Sequence, residues 1–376
     1  MRAIPRTDNS IFGEWWWTVD RLSLAAILLL GVLGAVLVMA ASPSVALQKN
    51  LDGFHFIYRH LVVLGPSLLV LVVVSLLSPL GICRLALVVF IISLFLMLAV
   101  LVNGVDANGA RRWLSFMGWS MQPSEFIKPA FVVVTAWLIV RPKTGIELNP
   151  THISILLLGL ILLLLLAQPD FGMAVLIGCI WFGQHFLAGM PIIAIIFSVA
   201  VGLVSLFGGY HFFPHVQSRF DRYLDPSSGD RYQIDHALNA FANGGLFGKG
   251  PGEGIAKERI PDAHADFIFA VAGEELGLIC CLVILALFLF VVLRGVARLL
   301  ETESLFSLLA GAGLVMLFGL QAFINLAVTL GVIPTKGMTL PFVSYGGSSL
   351  LALGFGMGLL LALTRRHRQR SKFLYE

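Results

Sequence analysis

Residues 22–41 read LSLAAILLLGVLGAVLVMAA, a run without a single charge, with Arg21 before it and Ser42-Pro43 after it. At 1.5 Å of rise per residue, about 20 apolar residues of helix cross a hydrocarbon core ~30 Å thick. A helix also satisfies its own backbone where no water can. The run exceeds the ~7–15 residues of a signal-peptide core, so Ala40-Ala41-Ser42 is read as part of a retained first span, not as a cleavage site. Ahead of it, Trp15-Trp16-Trp17 suits the headgroup zone, where amphipathic rings settle.

Runs of the same kind recur outward from this one. Spans are expected at roughly 22–41, 57–78, 81–102, 124–140, 152–167, 171–189, 191–213, 266–293, 305–333 and 340–363. Pro79-Leu80-Gly81, Gln168-Pro169-Asp170 and Gly189-Met190-Pro191 mark tight turns in which proline ends or restarts a helix. Composition agrees: 58% of residues are hydrophobic and 12% charged, against about 25% charged in a soluble domain. The fold expected is all-α, a polytopic membrane protein with about ten transmembrane helices and one long outer loop. Residues 1–376 read as a single integral membrane domain.

The net charge of +4 comes mostly from a basic tail within 364–376, so the basic residues form no nucleic-acid patch. Arg84, Arg141, Lys143, Arg294 and Arg298 fall on the same side as that tail. By the positive-inside rule this side is cytoplasmic, with both termini on it. The long loop at about 214–265 is then periplasmic. Cys83, Cys179, Cys280 and Cys281 all lie in apolar segments without a CxxC, and indicate neither disulfide nor metal.

The polar residues of interest gather in the outer loops. Arg111 and Arg112 beside Trp113 read either as a guanidinium grip on phosphate or as interfacial anchors. Ser124 suits a helix N-cap, and Glu125 and Lys128 stand three apart on one helix face, turned inward as a structural pair or a cavity lining. Asp170 suits a cap on the following helix. The glycines of 244–252 read as a phosphate-approaching backbone or as a flexible loop. Asp266 stands at the expected start of a helix, as an N-cap or as a general base for a substrate hydroxyl. His264 could orient it or merely solvate the loop. Eight residues of helix put Glu274 about 12 Å from Asp266. Glu274 and Glu275 need a buried partner, and Lys128 and Lys336 are both candidates. Prolines and glycines interrupt 331–349, which favours a cavity wall over lipid contact.

In this order, the stretches 109–114, 122–128, 168–172, 244–250, 261–277 and 331–349 closely resemble the SEDS (shape, elongation, division and sporulation) family of bacterial cell-wall polymerases. Pro334-Thr335-Lys336-Gly337 and Arg111-Arg112-Trp113 are more similar to its division-type branch than to its elongation-type branch. His264-Ala265-Asp266 departs from the commoner His-Thr-Asp without touching the acid. The resemblance implies a peptidoglycan glycosyltransferase that polymerises lipid II during cell division, in the bacterial cytoplasmic (inner) membrane at the septum. It maps the essential acid, the general base, to Asp266 and an upstream acid to Glu258. The substrate-binding residues expected are Arg111, Arg112, Lys128, Glu258, His264, Lys336 and Ser344. A divalent cation, Mg²⁺ or Mn²⁺, is implied, its ligands left open between Glu258 and Asp266, and no organic cofactor. The partners implied are a class B penicillin-binding protein transpeptidase and other division membrane proteins, with no nucleic acid. A lipid II flippase and a non-catalytic division scaffold are the rival readings.

Overall fold

The computed structural model describes residues 10–107, 110–116, 118–141, 149–212, 217, 218, 221 and 232–365. A short helix α1 (Ile11–Thr18) precedes α2 (Arg21–Gln48), α3 (His55–Ser75) and α4 (Pro79–Asn103). Strands β1 (Val105–Ala107), β2 (Ala110–Phe116) and β3 (Trp119–Met121) follow. Then come α5 (Pro123–Val140), α6 (Pro150–Ala167), α7 (Phe171–Leu187), α8 (Ile192–Phe212), α9 (Tyr232–Gly244) and a 3₁₀ turn (Ala256–Arg259). The chain closes with α10 (Ile268–Leu300), α11 (Leu305–Thr329) and α12 (Gly347–Leu363).

Eight of these helices are long and apolar enough to cross a membrane, and the shorter apolar α7 and α12 bring the number to the ten expected. The protein is a polytopic membrane protein. Packing is closest between α12 and α3, and α5 is the most buried of the eight long helices, wedged among α4, α11 and α12. By contrast α8 is exposed along nearly its whole length. At one end of the bundle Asp20, 3% exposed, accepts hydrogen bonds from Arg294 and Arg298 at 3.0 Å and so ties the start of α2 to the end of α10. Trp15 donates to Ser75 Oγ at 2.8 Å, and Arg21 lies over the Trp16 and Trp17 rings.

At the opposite end the structure adds what the helical reading lacked. Strands β1, β2 and β3 form a three-stranded antiparallel sheet, with Asp106 opposite Arg111 and Ser115 opposite Ser120. The expected spans at 305–333 and 340–363 are trimmed to Leu305–Thr329 and Gly347–Leu363. The residues between them stay non-helical, since Pro334 and Pro341 carry no N–H and Gly331 has φ +70°. Ser124 does not cap α5: Gln122 holds that place and Pro123 opens the helix. The tail from residue 366 and Lys143 lie outside the described residues.

The glycine-rich stretch is neither a phosphate cradle nor a loose loop. Helix α10 breaks at Gly277, where φ is +75° and ψ −178°. The break removes the helical bonds from the amides of Leu278 and Ile279 to the carbonyls of Glu274 and Glu275. The loop meets all four groups. Lys249 and Gly250 amides donate to the Glu274 and Glu275 carbonyls at 3.0 Å, while Leu278 and Ile279 amides donate to Gly245 and Leu246 at 2.9 and 3.3 Å. A Cβ on Gly248 would lie 2.1 Å from the Glu275 carbonyl oxygen, so only glycine allows the approach. Backbone freed inside a membrane helix is thus satisfied by protein.

Candidate active site

The sheet, the turn at 168–170, the segment 261–267 and the non-helical segment 330–346 converge on a cavity of about 490 Å³ at that end of the bundle. Among the residues lining it are Asp266, Arg112, Lys128, His264 and Lys336. A concave site of this size, with a few convergent polar groups, is the usual form of a small-molecule pocket.

Asp266 sits two residues ahead of Ile268, where α10 begins, so it is not the N-cap; Phe267 is. Its backbone is pinned from two sides. Asn325 Nδ2 on α11 donates to the Asp266 carbonyl at 2.9 Å. Tyr345 N donates to the His264 carbonyl at 2.9 Å, and Ser344 Oγ donates to the Ala265 carbonyl at 2.6 Å. The carboxylate lies against Gly337, with Oδ2 3.2 Å from where a Cβ on that glycine would stand. This places it beside Lys336 in the sequence of the facing loop.

Among the cations in the lining are Lys128, Arg112 and Lys336. Lys128 donates to Glu125 Oε2 at 2.9 Å and to Gln321 Oε1 at 3.1 Å, both within the bundle. The inward pair read from the sequence is therefore a cavity wall as well. Arg112 Nε donates to the Gln168 carbonyl at 3.0 Å, a second nitrogen donates to the Pro169 carbonyl, and Nη1 stands 3.9 Å from Asp170. Asp170 caps α7 by accepting from Met173 N at 3.3 Å. Lys336 crosses the first turn of that helix: a Cβ on Gly172 would fall 1.8 Å from its Nζ. The ammonium is thus held at a helix N-terminus, whose dipole also favours anions.

Other expected residues lie elsewhere. Successive side chains on a strand point to opposite faces. Arg112 accordingly lines the cavity, while Arg111 is exposed and does not. Glu258 is exposed on the 3₁₀ turn, outside the cavity, where its carbonyl accepts from Gln48. Ser344 is buried and spends its hydroxyl on Ala265 O and Leu340 N, which makes it a brace for the Asp266 segment. Among the described residues no three His, Cys, Asp or Glu side chains form a group able to hold a metal ion. Glu258 stands outside the cavity that Asp266 lines, so the cavity does not bring these two carboxylates together.

His264 lies in the wall, its ring 4.2 Å from that of Phe56 and 5.0 Å from that of Tyr345, centre to centre. Burial pushes its pKa down to about 4, so it serves as a neutral ring at pH 7. Glu274 and Glu275 find partners in neither Lys128 nor Lys336. Glu274 accepts from the amides of Ile255, Ala256 and Lys257 at 2.8–2.9 Å, and Glu275 pairs with the buried Lys257 ammonium. The sequence reading also passed over His60 and Gln321 in the lining. The signal available was an ionisable or amide side chain inside an apolar span.

Residues 20–369 match the family FTSW_RODA_SPOVE, described as "Cell cycle protein". A relative from Caulobacter vibrioides named "Probable peptidoglycan glycosyltransferase FtsW" is 44% identical over 365 residues, covering 97% of this chain and 94% of its own. A protein of the same name from Geobacter metallireducens is 35% identical, covering 93% and 96%. Among solved structures, a chain from a study of structural coordination of polymerization and crosslinking by a peptidoglycan synthase complex superposes with a TM-score of 0.76. It is 29% identical, covering 92% of this chain and 97% of that one. The rod shape determining protein RodA of Thermus thermophilus superposes with a TM-score of 0.68 at 29% identity, covering 93% and 97%.

Proposed function

The chain belongs to the FTSW_RODA_SPOVE family of cell cycle proteins, and on that premise we propose that it polymerises lipid II in the cavity described above, with Asp266 as general base. It is a peptidoglycan glycosyltransferase of the FtsW type. The observation that carries the reading is Asp266 in one cavity with Arg112, Lys128 and Lys336. A sugar hydroxyl attacks poorly until its proton leaves. As a carboxylate, Asp266 takes that proton while the hydroxyl oxygen bonds to the donor's anomeric carbon. The bond from that carbon to the diphosphate oxygen breaks, and the polyprenyl diphosphate departs. The anomeric centre inverts in one step, and the three cations stabilise the charge that develops on the leaving group.

The lining carries four formal cations, Arg59, Arg112, Lys128 and Lys336, against four acids, Glu125, Asp170, Asp262 and Asp266. A diphosphate therefore enters a wall already balanced in charge. A divalent cation, Mg²⁺ or Mn²⁺, would arrive with the diphosphate, since Mg²⁺ commonly combines one or two carboxylates with substrate phosphates. The cavity end faces the periplasm of a bacterial inner membrane, both termini lie in the cytoplasm, and the protein works at the septum beside a class B penicillin-binding protein transpeptidase. The basic residues at the other end support that orientation.

The test is to supply lipid II in detergent to the protein together with its transpeptidase. Glycan chains are the expected product. Lipid movement across liposomes without chain growth would replace the polymerase with a flippase. Neither activity alongside intact recruitment of partners would leave a scaffold.

Lys336→Ala is expected to slow polymerisation roughly tenfold or more, the scale of a charge-assisted contact worth about 1.5–3 kcal/mol. Gly172→Ala should act in the same direction with the charge kept, because its methyl group displaces the lysine stem. Turnover by both variants equal to wild type at saturating lipid II would remove Lys336 from the site.

A further inference from the structure

His60 is 1% exposed, lies on α3, and lines the same cavity. Neither of its ring nitrogens has a hydrogen-bond partner. A buried polar group left unsatisfied costs about 1–3 kcal/mol, so an unpaired imidazole at a cavity wall calls for a ligand to satisfy it. Its neighbours define which kind. The Tyr345 ring is 6.4 Å from His60 and 5.0 Å from His264, and Phe56 packs against His264 with its ring tilted by 42°. Nδ1 of His264 is unpaired as well. This wall carries rings and imidazoles, and its one cation among the described residues, Arg59 on α3, donates to the Gly118 carbonyl at 2.7 Å and lies over the Trp119 ring, whereas Arg112, Lys128 and Lys336 come from β2, α5 and the 330–346 segment.

We propose that His60 is a substrate-contacting residue that hydrogen-bonds a hydroxyl or acetamido group of the saccharide, on a wall of the cavity separate from the cations that receive the diphosphate. The inference rests on the glycosyltransferase reading and assigns one part of that site. A neutral imidazole offers one donor and one acceptor, and a protonated one offers two donors. A saccharide hydroxyl, both donor and acceptor, satisfies either form. Flat ring faces beside it suit the apolar face of a pyranose. A diphosphate, an acceptor alone, would leave the lone pair of a neutral ring unmet.

The test uses His60→Phe, which keeps a ring in place and removes both nitrogens, and His60→Gln, which restores a donor and an acceptor. In polymerisation assays with lipid II, His60→Phe is expected to raise KM roughly three- to tenfold with kcat within about twofold, and His60→Gln to recover most of the loss. A packing role alone would show no such rescue. Binding is read separately from turnover, by equilibrium titration of lipid II into Asp266→Asn protein with and without His60→Phe. Weaker binding in the double variant supports the contact even if no glycan forms in any assay, a result that would strike the polymerase reading instead. Equal binding overturns the His60 contact and leaves that reading standing. Undecaprenyl diphosphate without sugars should bind the His60→Phe protein as it binds wild type, and bind Lys336→Ala more weakly. An equal loss of the sugar-free ligand on His60→Phe would overturn the assignment to the saccharide.

Discussion

Asp266→Asn is expected to lower the rate of glycan formation from lipid II by about 10²–10⁴-fold, the usual worth of a positioned general base. The substitution is nearly isosteric, and three hydrogen bonds hold the backbone of the segment in place. The carbonyls of His264, Ala265 and Asp266 accept from Tyr345 N, Ser344 Oγ and Asn325 Nδ2 respectively. All three bonds survive the substitution, so the segment should keep its place while the amide lacks the ability to take a proton. Thermal stability and the KM for lipid II should stay close to wild type while kcat falls. A loss that lies only in the interaction made at the transition state lowers kcat and kcat/KM together. Initial rates from labelled lipid II check this directly. A variant within about threefold of wild type would place the base elsewhere in the cavity, and the remaining acids of the lining would be tried in turn.

Much of this architecture was legible because a bilayer imposes a length and a composition on each span. The ends of the expected runs differ from the helices mostly by a few residues, and the Glu125–Lys128 pair followed from helical spacing alone. The sheet was written less plainly. Val105-Asp106-Ala107-Asn108-Gly109-Ala110 carries an Asn-Gly pair between short segments, a known hairpin signal, yet it sits where charge and tryptophan suggest an interfacial loop. Missing it left Arg111 and Arg112 as equivalent neighbours, when the two-residue period of a strand separates them. The partner of Glu275 was out of reach for another reason. Lys257 lies 18 residues upstream, across Pro261 and the non-helical residues before α10, and no periodicity links positions through such a segment. Glu258 stood close to Asp266 along the chain, but the 3₁₀ turn directs it to the surface.

Lys257→Met should destabilise the protein by about 3–5 kcal/mol, the cost of leaving a buried carboxylate without its counter-ion. Lys257 is 4% exposed and Glu275 1%. The ammonium also donates to the carbonyls of Ala40 on α2 at 3.0 Å and Gly252 at 3.3 Å, so one side chain joins α2, the glycine-rich loop and α10. Glu275 Oε2 has no partner, and therefore no second donor stands ready to replace the lysine. The loss should extend beyond stability. The amides that Glu274 holds belong to Ile255, Ala256 and Lys257, at the start of the turn that leads to Asp266. Loosening that anchor lets the 261–267 segment shift, and misplacement of a catalytic group by about 1 Å can cost ~10²-fold in rate. Detergent-solubilised variant protein should thus unfold on the order of 10 °C lower and polymerise slowly even below that temperature. The double variant Lys257→Met/Glu275→Gln separates charge from geometry. Removing both charges should return most of the stability, because the penalty comes from the unpaired carboxylate rather than from loss of the pair as such. Activity that returns with it would show the bonds to Glu274 are enough to hold the turn. Stability that returns without activity would mean that the lysine's bridge between α2 and α10 sets the position of Asp266. A single variant as stable as wild type would contradict the whole account, since it would require Glu275 to be hydrated or protonated where the fold leaves it almost no exposed surface.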